Sequence, residues 1–434
     1  MRIAPLGLST LAAALATLRP TDAAARDVAE VVEALLDAVR TRGDAALVEA
    51  TSRLDWPGAT ASTLRVGEND LRSAYEATDP RLREALTLAR DNCSWFHRHE
   101  LRAGWEETGP QGQRLGIRYL PVERAGLYVP GGRGAYASTV IMNAVPAVVA
   151  GVGSLFICTP PDRDGSVNES VLAAAHLMGI REVYRVGGAQ SVGAMAYGTE
   201  SIGRADVICG PGNAYVTEAK RQVFGVVGID GLAGPSEVVI VADETAEPRL
   251  VAADMRAQEE HGSGASAVLV AATEGLCRAV EAEARALRGS ADVPLAEGTS
   301  GLYAFYPEPG ERFAILARTF VNAYAPEHLE LHLRDARGFL KEVGAAGAIF
   351  LGAHTPTAFG DYVAGSNHVL PTGGAARFSS PLSVDTFVRR SSVVEVPPDV
   401  ADELTPHLAE IARSEGFEFH RVSAELRMGP GRVG

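Results

Sequence analysis

The sequence predicts an α/β protein with two incomplete Rossmann-like parallel-sheet domains and small helical pieces at its N- and C-terminal ends. Three observations lead there. Residues 139–224 alternate short apolar strands with helices and glycine turns. A second alternating stretch begins at GPSEVVIVAD, residues 234–243. At 434 residues the chain exceeds the size at which one core keeps growing, so two or more domains are expected.

In chain order, LGLSTLAAALATL has leucines at 6, 8, 11, 15 and 18 in partly helical spacing, closed by Arg19 and Pro20. The run also resembles a secretory h-region, but Arg2 is the only charge before it. It is read as a helical arm, and the protein as cytoplasmic. Residues 27–55 read as two amphipathic helices broken at Gly43, and a further helix covers 79–99. RYLPVERAGLYVPGG reads as extended chain ending in a glycine turn.

TVIMNAVPAVVAGV is then a helix of small residues, and SLFICTPP a strand. VNESVLAAAHLMG is a helix, REVYRVGGAQ a strand entering a glycine turn, and ADVICGPGN repeats that scheme before the helix NAYVTEAKRQVFG. Buried strands alternating with helices imply parallel sheets. In the second unit the strand GPSEVVIVAD leads to the helix PRLVAADMRAQEEHG and the strand SAVLVAAT, with AIFLG (348–352) joining the same sheet. PDVADELTPHLAEIARSEGFEFHRVSAELRMG reads as a mainly helical end piece.

The bulk composition excludes several classes. Hydrophobic residues make up 46% of the chain, too many for a disordered protein. A net charge of -14 argues against nucleic acid, which requires a basic face. No run of about eighteen apolar residues is present, so no membrane span is expected. Cys93, Cys158, Cys209 and Cys277 are scattered without a C-x-x-C, which fits a reducing compartment and no zinc ribbon. Cys158 and Cys209 lie in apolar runs and read as small buried hydrophobes, although either could attack an aldehyde as a thiolate.

Three glycine turns, YVPGGRG, VGGAQ and CGPGN, follow strands of the first unit, where backbone N–H groups and helix N-termini can meet an anionic ligand. None is a G-x-G-x-x-G with an acidic residue about twenty positions on, so each can equally be a tight connection. Gln258 and His261 in RAQEEHG stand three apart at a helix end, a metal-pair spacing or simply an exposed polar end. Glu327 and His328 adjoin in YAPEHLELHL after Pro326, read as projecting from a first helical turn. His332, four beyond His328, could share a metal, but it alternates with Leu329, Leu331 and Leu333 and is expected to face water. Glu415 and His420 are separated by a turn. Asp361 and His368 sit in the glycine-rich stretch GDYVAGSNHVLPTGGAARFSSPLSV. An Asp, several His and a Gln from separate segments could assemble a mixed nitrogen and oxygen zinc site.

Taken together, RGDAALVEATSRLD, YVPGGRGAYASTVIMNAVPA, VGGAQSVGAMAYGTE, GPGNAYVTEAKRQVFG, AGPSEVVIVAD, APEHLEL and the stretch from 360 to 384 resemble the histidinol dehydrogenase family almost end to end. The resemblance implies a zinc- and NAD-dependent oxidation of L-histidinol to L-histidine through histidinal, with two NAD used in succession. It implies one zinc per subunit, with ligands at Gln258, His261, Asp361 and His420, and proton acceptors at Glu327 and His328. Substrate contacts are implied at Ser236, His368 and Glu415, and an NAD site at Tyr128, Gln190 and Asn213. The implied substrate site also takes in Gln258, His261, His328, Asp361 and His420.

On this basis residues 1–22 are the arm, 23–127 with 236–380 a discontinuous zinc and substrate domain, and 128–235 the NAD domain. Residues 381–434 are the piece that completes a partner's active site in an intertwined homodimer. Glu259 departs from the family's usual alanine and is expected to point outward. Relatives of this fold act on other small alcohols, such as a sulfonated propanediol; His368 and Glu415 favour histidinol. The stretch from 360 to 384 is expected to be a site wall that zinc helps to order.

Overall fold

The computed structural model describes residues 1–19, 25–131, 136–262, 264–290 and 301–428. Positions 20–22 of the expected arm and 132–134 of the first glycine turn lie outside them. The strands are β1 (Arg2–Leu6), β2 (Trp105–Thr108), β3 (Arg114–Pro121), β4 (Arg124–Tyr128), β5 (Ser154–Thr159), β6 (Glu182–Arg185) and β7 (Val207–Cys209). They continue as β8 (Gly228–Ile229), β9 (Glu237–Ala242), β10 (Ser266–Ala271), β11 (Gly301–Pro307), β12 (His328–His332), β13 (Ala348–Leu351) and β14 (Val388–Glu395).

Two compact units result. The first holds residues 1–100 and 122–387 and carries both parallel sheets. One has six strands in the order β1-β11-β10-β9-β12-β13, the other five in the order β6-β5-β4-β7-β8. β9 is buried at all six residues because both faces are covered, hence its unbroken EVVIVA. Val239 and Val241 pack with Leu329, Leu331 and the helix Phe313–Tyr324; Val238 and Ile240 pack with the helix Pro248–Glu259. In β12 the leucines take the first of these faces, so alternation turns His328, Glu330 and His332 toward the second.

The helices of residues 25–98 cover the five-stranded sheet, not the six-stranded one expected for 23–127. Val32, Leu36 and Val39 pack with Val192 and Met195, while Leu71, Leu86 and Cys93 pack with Ile141 and Val145. Gly43, at φ +52, separates Ala25–Arg42 from Asp44–Leu54, a conformation that favours glycine. The N-terminal arm begins with a strand, not a helix. β1 pairs in parallel with β11, and its sheet partner is far along the chain, so local spacing did not reveal it.

The second unit holds residues 101–121 and 388–434. It is not simply helical, as expected for 381–434: β14, β3 and β2 form an antiparallel sheet, followed by the helices Pro398–Ser414 and Glu418–Glu425. β14 is mostly exposed and reads VRRSSVVE, so it lacks the apolar signal of a buried strand. The segment read as one extended run over 118–132 is two strands, β3 and β4, which belong to different units. No described helix is long and apolar enough to cross a membrane.

Candidate active site

The amino ends of β9 and β12 lie side by side, with His328 in register with Val238. That register brings Ser236 and Glu237 to Glu327 and His328. The Glu327 carboxylate accepts from the Ser236 hydroxyl and the Glu237 backbone N–H, both at 2.7 Å. His328 Nδ1 lies 3.1 Å from the Glu237 carbonyl oxygen and 3.4 Å from Glu327 Oε2. Glu327 and His328 thus sit at the mouth of a strand and not on the first turn of a helix. Leu329, Leu331 and Leu333 carried the period of two that marks a strand.

The opposite nitrogen, His328 Nε2, is buried without a hydrogen-bond partner and lies 3.7 Å from Asp361 Oδ1. Burial pulls the His328 imidazolium down, but the Glu327 and Asp361 carboxylates outweigh it and hold its pKa well above the ordinary value. Burial pushes Asp361 up, and the facing His328, with His368 and His261 beyond, brings it to a net position below the usual carboxylate range.

Asp361 lies in the last turn of the short helix Thr357–Tyr362, so the glycine-rich stretch is less loose than its composition suggests. His368 Nδ1 is 2.9 Å from the Asp361 carbonyl oxygen, and its Nε2 is 3.3 Å from the Thr139 hydroxyl. Asn367 donates to the Met142 carbonyl at 2.7 Å. The stretch is therefore tied to the helix Ala137–Ala150 by hydrogen bonds to Thr139 and Met142. Burial lowers the His368 pKa, which favours a neutral ring.

Gln258, in the last turn of the helix Pro248–Glu259, is buried, and its amide nitrogen has no partner; His261 follows on the exposed end. The negative end of the helix dipole favours a cation there. Gln258, His261 and Asp361 offer the mixed oxygen and nitrogen set that zinc accepts, with the Gln258 carbonyl oxygen as its donor atom. Glu259 does not point outward as expected: it is buried and paired with Arg256 three residues earlier. His332 does not face water either. It is 3% exposed, beside Asp254 and Glu330. Glu415 caps the helix Pro398–Ser414 and His420 lies in Glu418–Glu425, both exposed on the second unit, with Gly416 at φ +76 making the expected turn.

Sequence reasoning missed Arg19. Its guanidinium grips Glu237 through two bonds of 2.8 and 2.6 Å, donates to the Tyr324 carbonyl at 2.7 Å, and stacks 3.7 Å from the Tyr324 ring centroid. Glu237 supplies the backbone groups that hold Glu327 and His328, so Arg19 braces the site from 218 residues away.

On the five-stranded sheet, Tyr128, Gln190 and Asn213 gather at the carboxyl ends of the strands, where open parallel sheets bind ligands. The Tyr128 hydroxyl accepts from the Gly188 N–H at 3.3 Å, and Gln190 donates to Asp55 at 3.2 Å. Asn213 caps the helix Ala214–Val223. Gly210 stands at φ +122, and a Cβ there would collide with the Tyr128 carbonyl. Gln190 Oε1 and the Asn143 amide are buried without partners. A nucleotide fits this edge of glycine and unpaired polar groups. Cys158 and Cys209 are fully buried, and burial drives both thiols up, so neither supplies a thiolate.

The chain matches the family model described as histidinol dehydrogenase over residues 18–428. It is 48% identical over 400 residues to the histidinol dehydrogenase of Synechococcus sp., covering 91% of each chain. It is 45% identical over 421 residues to that of Bradyrhizobium diazoefficiens, covering 96% of each. The solved structure of histidinol dehydrogenase from Elizabethkingia anophelis matches with a TM-score of 0.91 at 31% identity, covering 98% of both chains. With nearly the whole chain matched in sequence and in fold, it belongs to the histidinol dehydrogenase family of oxidoreductases.

Proposed function

We propose that the chain oxidises L-histidinol to L-histidine through L-histidinal, the last step of histidine biosynthesis, with zinc bound and two NAD reduced in succession. The observation that carries this reading is the buried Glu327–His328 pair, with His328 Nε2 unpartnered and 3.7 Å from Asp361 Oδ1.

Alcohol oxidation sends a hydride to the nicotinamide and the hydroxyl proton to a base. His328 Nε2 is the atom placed to take that proton, and its other nitrogen is fixed by the Glu237 carbonyl. The resulting aldehyde must add water before it can lose a second hydride. Glu327, held by Ser236 and the Glu237 N–H, accepts the proton of that water. His368 and Glu415 hold the substrate. Zinc, on Gln258, His261, Asp361 and His420, would orient the substrate imidazole and amine and draw the Asp361 charge away from His328. Tyr128, Gln190 and Asn213 would line the NAD site, and NAD bound there would supply the hydride acceptor.

A homodimer, in which the second unit of one subunit completes its partner's site, accounts for the exposed Glu415 and His420. Phe417 and Phe419 beside them are 52% and 87% exposed, apolar surface that a partner would cover.

The test is a panel of alcohols at equal enzyme, followed by NADH absorbance with and without chelation. Turnover of histidinol that chelation abolishes and zinc restores is expected. Faster turnover of a sulfonated propanediol, or histidinol turnover indifferent to chelation, would overturn the proposal.

A further inference from the structure

Asp254, Glu330 and His332 are the strongest candidate for a site beyond the one above. Among the described residues they form a group whose ligand atoms all lie within 4.8 Å of one another. Two periodicities assemble it. β12 turns His328, Glu330 and His332 to one face, and the neighbouring helix sets Asp254 one turn before Gln258 on the same stripe. Asp254 thereby meets Glu330 and His332 on the covered face of β12.

The three side chains are not satisfied by one another. Glu330 is fully buried. Its Oε1 accepts from the N–H and hydroxyl of Thr357 at 2.8 and 2.6 Å, and its Oε2 has no hydrogen-bond partner. His332 is 3% exposed, and neither ring nitrogen has a hydrogen-bond partner. His332 Nε2 lies 3.5 Å from Asp254 Oδ2 and 3.5 Å from Glu330 Oε2, too far for good hydrogen bonds. Ligand atoms around a tetrahedral zinc, with bonds of about 2.0–2.2 Å, stand about 3.3–3.6 Å apart. Both spacings fall in that interval.

Charge points the same way. A protonated His332 between two carboxylates leaves one negative charge uncompensated in a buried site, which is unfavourable. A divalent cation with a neutral imidazole and two carboxylates sums to zero. Asp254 is the most exposed of the three, 15% at the side chain, so a water could complete the set from its side.

We propose that Asp254, Glu330 and His332 bind a second divalent cation of the zinc type, distinct from the one assigned to Gln258, His261 and Asp361. The cation is structural. Glu330 joins β12, which carries His328, to Thr357 at the start of the helix that carries Asp361, so an ion here braces both sides of the reacting site. No substrate or proton passes through it. The proposal shares no ligand with the first site and does not depend on it.

Metal content of the full-length protein decides the matter, after stripping with chelator, reloading with zinc and desalting. Two equivalents per chain are expected in the wild type, one in His332→Leu, one in Asp361→Asn and none in the double variant. Asp254→Asn, a same-size change at the least buried of the three, repeats the test if His332→Leu does not fold. In Asp361→Asn, zinc should still raise the thermal midpoint, and adding Asp254→Asn should remove that rise. One equivalent in the wild type that Asp361→Asn abolishes would overturn this inference and leave the first site standing. One equivalent that His332→Leu abolishes and Asp361→Asn spares would uphold it and overturn the first. Two equivalents retained in both His332→Leu and Asp254→Asn would also sink it.

Discussion

Replacing Arg19 by methionine tests whether the site is braced from outside its own motifs. Arg19 and Glu237 form a two-bond pair, with Glu237 8% and Arg19 26% exposed at the side chain. Removing one partner of a buried pair costs about 3–5 kcal/mol, and the partial exposure of Arg19 puts the expected loss near the low end, about 3 kcal/mol. That is roughly two decades in the ratio of folded to unfolded protein.

The sign of the pH dependence is fixed by Glu237. Burial raises its carboxyl above the usual value of 4.5, while Arg19 opposes the rise. Without Arg19 the folded pKa climbs further above the unfolded one. A raised carboxyl stabilises the folded state below the unfolded pKa, and that contribution is lost as pH rises through the folded pKa. The deficit of Arg19→Met should therefore be small near pH 4 and grow toward neutrality. Urea unfolding across pH, for wild type, Arg19→Met, Glu237→Gln and the double variant, measures it. The double variant should be more stable than Arg19→Met at pH 7. A deficit below about 1 kcal/mol, or one flat in pH and not relieved by Glu237→Gln, would refute the brace.

Further expectations concern the chemistry. His328→Ala should slow histidinol oxidation by about 10²–10⁴-fold, the usual worth of a positioned base, with zinc content unchanged by metal analysis. Glu327→Ala should depress oxidation of added histidinal more than the first hydride transfer, read by single-turnover NADH formation. Iodoacetamide at neutral pH should leave native activity intact, because all four cysteines are buried and burial raises their thiols. Rapid inactivation with label on Cys158 or Cys209 would bring the thiohemiacetal route back.

Much of this was legible in the chain because the signals were local. The apolar runs of β5, β9 and β10 announced buried parallel strands, and Gly43 and Gly416 marked real turns. What stayed hidden depends on distant partners. β1 finds β11 some 300 residues away, and Arg19 finds Glu237, with no pattern in either segment to say so. His332 was misplaced because polar residues alternating with leucines usually face water, whereas here helix Pro248–Glu259 covers that face and buries it. Glu259 was misplaced for a related reason, since its partner Arg256 lies on the same helix and makes burial tolerable.

The most direct test of the proposed reaction is the amount of NADH formed per histidinol consumed, with limiting substrate and excess NAD. Two NADH per histidinol, with histidine as the product, are expected. One NADH per histidinol, with the aldehyde accumulating, would contradict the assignment of Glu327 and His328 to two successive oxidations.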